Sequence, residues 1–77
     1  MNKVRRKALR EISHQIEELR QQLEELKEEE EEYRDNMPEN LQGSERYEMA
    51  DAVCDELDDA ISSLEDALEL IGTAVEG

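Results

Sequence analysis

The chain has 77 residues, with 23 acids against 9 Lys and Arg for a net charge of −14. This allows one small domain with a modest core and disfavours a surface that attracts nucleic acid or anionic lipid. The single cysteine, Cys54, excludes an internal disulfide framework and fits a reducing compartment. No apolar run approaches the ~20 residues that span a bilayer, and no signal-peptide core follows the basic start. The expectation is a soluble cytoplasmic protein that binds neither nucleic acid directly nor membrane.

The first predicted element is a helix from about Lys3 to about Arg34, rich in Glu, Leu, Arg, Gln and Lys, without Gly or Pro. Its apolar series is Leu9, Ile12, Ile16, Leu19, Leu23, Leu26 and Tyr33, stepping by alternating threes and fours. That stepping places every member on one seam of a helix wound at ~3.5 residues per turn. Glu30 is the one charge on this seam, read as a register device whose stem lets the carboxylate reach water. Residues 1–10 hold Lys3, Arg5, Arg6, Lys7 and Arg10 and no acid, a local charge of +5. The run Glu28 to Glu32 reads as a solvated helical turn with like-charge strain.

A loop over 35–43 follows. Pro38 lacks an amide proton and disfavours helix at Met37. Residues 38–42 fit one helical turn, with Leu41 plugging the bundle end and Arg46 bridging Glu39 or Asp35. Asn36 and Ser44 are placed to satisfy helix-end groups, Ser44 as the N-cap of a second helix. That helix is predicted over about 44–71, with Glu45 and Glu48 in its first turn. Its seam is Tyr47, Ala50, Cys54, Leu57, Ile61, Leu64, Leu68, Ile71 and Val75. Tyr33 and Tyr47 flank the loop and cap the bundle end, and Gly72 weakens the last turn. Residues 44–77 contain eleven acids and only Arg46, a charge of −10.

Two such helices joined by a short loop return antiparallel. With Leu9 and Tyr47 as heptad positions a, the e positions face each other as Arg34–Asp51, Lys27–Asp58 and Arg20–Glu65. The same register sets Tyr33 near Cys54, Glu30 near Leu57, Leu23 near Leu64 and Ile16 near Ile71. The fold class is all-α, an antiparallel two-helix coiled-coil hairpin. The second helix adds Val53, Ala60, Ala67 and Ala74 at g, and Met49 and Leu70 at c. This stripe is too wide for one partner helix. It points to a homodimeric four-helix bundle, with a different protein on that face as the rival.

Catalytic and metal chemistry find little support. Glu11 and His14 form Glu-x-x-His, but at outward positions c and f, so a solvated histidine is the reading. Cys54 sits on the seam as a structural thiol, with no histidine projecting toward it. Neither a phosphate loop, an EF-hand, zinc spacing nor a catalytic triad occurs. The expectation is a non-enzymatic chain without cofactor. The basic start is expected to lie near Glu65, Asp66, Glu69 and Glu76 and reduce self-repulsion. The outer acids Glu48, Asp55, Asp59, Asp66 and Glu69 read as a solubilising surface or as a face mimicking a phosphate backbone toward a basic protein, such as a nucleic-acid-binding host protein.

The stretch from Tyr33 to Glu48 carries Asn36-x-Pro38-Glu39-x-Leu41-Gln42-x-Ser44-Glu45-Arg46. It resembles short acidic proteins borne by bacteriophages and prophages of Gram-positive bacteria, in which this loop joins two acidic helices. The match is strong over about 18 residues, the flanks agree only in style, and the resemblance carries over no functional residues. It implies a phage setting inside a host bacterium, where small acidic proteins are often inhibitors of host defence, including anti-CRISPR-type inhibitors of a nuclease. The competing readings are a self-associating assembly module and, more weakly, a nucleic-acid adaptor using the basic tail.

Overall fold

The computed structural model describes residues 1–77. The chain forms α1 (Lys3–Asp35), a 3-10 turn (Glu39–Leu41) and α2 (Glu45–Glu76). The two helices pack side by side in an antiparallel hairpin with extents of 60 × 15 × 12 Å. Each is about 50 Å long at 1.5 Å per residue.

Local chemistry sets the helix ends. The Asn2 side-chain oxygen accepts the Arg5 amide at 2.8 Å. Ser44 Oγ accepts the Tyr47 amide at 3.3 Å and starts α2 as expected. At the end of α1 it is the Asn36 backbone that closes the helix, its amide donating to Glu32 O at 2.9 Å. Pro38 is extended (φ −57, ψ 148) and begins the 3-10 turn. α2 runs through Gly72 to Glu76, beyond the expected end near Ile71. Gly72 has a negative φ and open space around it, so the helix simply continues.

Two of the three expected cross-helix pairs form. Arg34 Nη1 lies 2.8 Å from Asp51 Oδ1, and Lys27 Nζ lies 2.9 Å from Asp58 Oδ1. The third does not. Arg20 turns along its own helix to Glu17 at 2.6 Å and Glu24 at 2.8 Å. Two carboxylates at i−3 and i+4 hold the guanidinium with less side-chain ordering than Glu65 across the seam demands.

The seam on α1 is rotated from the one the apolar stepping suggests. Its half-buried rows are Leu9, Ile16, Leu23 and Glu30 at a, and Arg6, Ser13, Arg20, Lys27 and Arg34 at e. From Leu9 onward only α2 can cover them, and Arg6 stands just beyond its end. The long side chains of Arg20, Lys27 and Arg34 are only 19–24% exposed, and their charged ends reach carboxylates at the surface. On α2 the expected seam holds: Ala50, Cys54 and Ile61 are buried, and Leu57, Leu64, Leu68 and Ile71 are half-buried. At the loop end Met37 is the buried plug, whereas Leu41 is exposed. Met37 is one heptad beyond Glu30 and so continues row a into the closing turn.

Candidate interaction faces

Rotation of α1 gives the hairpin two unlike broad faces. On one, the e rows meet through Arg34–Asp51 and Lys27–Asp58. Hydrogen bonds to Asp35 and Asp51 raise the Arg34 pKa, and the bond to Asp58 raises that of Lys27. This face is closed by its own pairs. Arg46 joins no ion pair, and Arg34 instead bridges Asp35 and Asp51.

The opposite face is apolar and open. Row d of α1 lies on it, with Ile12 44%, Leu19 53%, Leu26 54% and Tyr33 48% exposed. Beside it, α2 presents Met49 62%, Val53 37% and Leu70 70% exposed. Ala60 and Ala67 are half-buried between them and Ala74 is exposed. An open groove near the loop is lined by Glu30, Tyr33, Arg46, Met49 and Val53, which puts the two rows on the same side. The sequence points to the α2 half of this strip. It hides the α1 half, because the apolar stepping assigns Ile12, Leu19, Leu26 and Tyr33 to the internal seam.

The outer acids of α2, Glu48, Asp55, Asp59, Asp66 and Glu69, are exposed and none joins an ion pair. Nor do Lys3, Arg5, Arg6, Lys7 and Arg10, so the expected local pairing of the basic start with α2 acids does not form. The register explains this. With Arg34 level with Asp51, residues 1–8 extend past the end of α2, which carries Lys3, Arg5, Arg6 and Lys7 beyond its acids. Arg6 Nε is buried without a hydrogen-bond partner.

Chemically reactive groups are sparse. His14 is exposed and 3.3 Å from Glu18. Cys54 is buried and its thiol pKa is raised by burial, the reverse of a nucleophile's tuning. No group of three or more His, Cys, Asp or Glu is arranged to hold a metal ion. No helix is long and apolar enough to cross a membrane. Compared with protein-family models, curated proteins and solved structures, the chain matches none.

Proposed function

We propose that this chain is a non-enzymatic protein-binding module whose working surface is the apolar face of the hairpin. One observation carries this reading: seven large apolar side chains lie 37–70% exposed along a single face. Together they expose on the order of 700 Å², which exceeds the few hundred Å² that a monomer ordinarily leaves open. In so acidic a chain, with 42% charged residues, this many exposed apolar side chains have a use.

A second reading concerns the outer row of α2. Its five carboxylates are exposed and free of cations, which suits docking on a basic protein surface. The loop's resemblance to phage-borne proteins gives this reading a setting in a host bacterial cytoplasm. There the row would occupy a basic nucleic-acid channel of a defence nuclease and act as an anti-CRISPR-type inhibitor. The two readings are compatible, because the surfaces adjoin on α2, where Leu70 shares a shallow groove with Asp66 and Glu69.

A photo-crosslinking amino acid placed in turn at Leu26, Asp59 and Gln21, in cells making the protein, tests them together. The apolar-face reading requires adducts from Leu26 and none from Gln21 on the back of α1. Adducts from Asp59 support the acidic row. Adducts from Gln21 with none from Leu26 would overturn the first reading.

A further inference from the structure

We infer that the occupant of the apolar face is a second copy of this chain, laid face to face with its loop at the opposite end. The inference rests on the reading above that this face is the working surface, and it names the partner. Three observations carry it: the area of the strip, the levels of its rows, and the distribution of unpaired charge.

The exposed strip is close to the ~800 Å² per partner that a standard stable interface buries. Its rows are level with each other. Arg34 stands beside Asp51 and Lys27 beside Asp58. In that register the midpoint of the α1 row, between Leu19 and Leu26, is level with the midpoint of the α2 row, between Ala60 and Ala67. A twofold axis through these midpoints, across the helices, brings Leu19 to Leu26 of the other copy and Ile12 to Tyr33. On α2 the same axis brings Ala60 to Ala67 and Val53 to Ala74, a small-residue row that permits close helix approach. The face is therefore self-complementary in the way an isologous dimer requires.

Charge selects this orientation over the one with both loops together. Residues 28–55 hold eleven acids and two bases, net −9. The other end combines residues 1–10, with five bases, and residues 65–77, with four acids, net +1. Loops together would stack two −9 ends. Loops apart set each −9 end over the partner's Lys3, Arg5, Arg6, Lys7 and Arg10, cations that have no partner within one chain. The basic start of α1 thus comes level with the acidic end of the other copy.

Sedimentation equilibrium of the full chain, with spin-label distances from Asn40→Cys in a Cys54→Ala background, tests this. The expected mass is twice 9.0 kDa. The expected label separation is about 50 Å, from the 1.5 Å rise of each helix. Lys3, Arg5 and Lys7→Glu, all at exposed helix positions, should weaken the dimer about tenfold at low salt, with the difference vanishing at high salt. Leu19→Glu with Leu26→Glu should give single chains. A one-chain mass at millimolar concentration overturns the inference, and so do labels within about 20 Å of each other. A single-chain mass accompanied by Leu26 adducts to another protein would overturn this inference alone and leave the binding face standing.

Discussion

Lys27 Nζ lies 2.9 Å from Asp58 Oδ1, and this contact, with Arg34–Asp51, sets the level of one helix against the other. Both side chains are near water, so the pair selects register more than it stabilises. Asp58→Lys should lower Tm slightly and raise the tendency to slip. Adding Lys27→Glu should restore most of the loss. Thermal melts in low salt and in about 1 M salt, where the screening length is about 3 Å, check this. A loss that persists undiminished in high salt would show that Asp58 acts by something other than charge.

Ile61 is the largest buried side chain on α2, in the same row as Cys54 one heptad before it. Only four residues of the chain are buried, so each contributes a large part of the core. Ile61→Ala should cost about 2–5 kcal/mol. A hairpin of this size has little stability to spare, and the variant should be largely unfolded at 25 °C by far-UV circular dichroism. An unchanged urea midpoint would mean that the helices do not pack through Ile61.

The hairpin, its loop and the Ser44 cap are legible in the sequence because each follows from local chemistry: a proline, a capping hydroxyl and two apolar repeats. The pairs Arg34–Asp51 and Lys27–Asp58 are legible because opposite charges recur at heptad spacing. Arg20 is not, since Glu17 and Glu24 on its own helix compete for it and a single-seam reading ignores them. Nor is the rotation of α1. A three-four stepping marks which residues are apolar without saying which half of them meets the in-chain helix. The long stems of Arg20, Lys27 and Arg34 cover the seam, and this releases Ile12, Leu19, Leu26 and Tyr33 to the other face. Half of the candidate site is therefore hidden inside a correctly recognised repeat.

Gly72 lies inside α2 with negative φ, and a β-carbon placed there would meet nothing within 4 Å. Its conformational freedom in the unfolded chain is lost on folding with no compensating contact. Gly72→Ala should stabilise the protein by about 0.5–1 kcal/mol in urea titrations. Destabilisation instead would mean that another backbone approaches this position closely in solution.

Cys54 supplies a pH dependence whose direction is fixed. Burial raises its thiol pKa above the unfolded value of about 8.5. The folded state therefore holds the proton more tightly. The associated stability is fully present below about pH 8.5 and is lost as pH rises through the folded value. Lys27, also raised, behaves in the same sense but begins only near its unfolded value of about 10.4. Between about pH 8.5 and 10 the thiol alone should drive the decline. Urea midpoints should fall with pH across that window in the native chain and stay level in Cys54→Ala. Alkylation by iodoacetamide at pH 8 should be slow in the folded protein and fast in urea, since the thiolate is the reacting form. An equal decline in Cys54→Ala would place the alkaline sensitivity elsewhere and remove the buried thiol from the account.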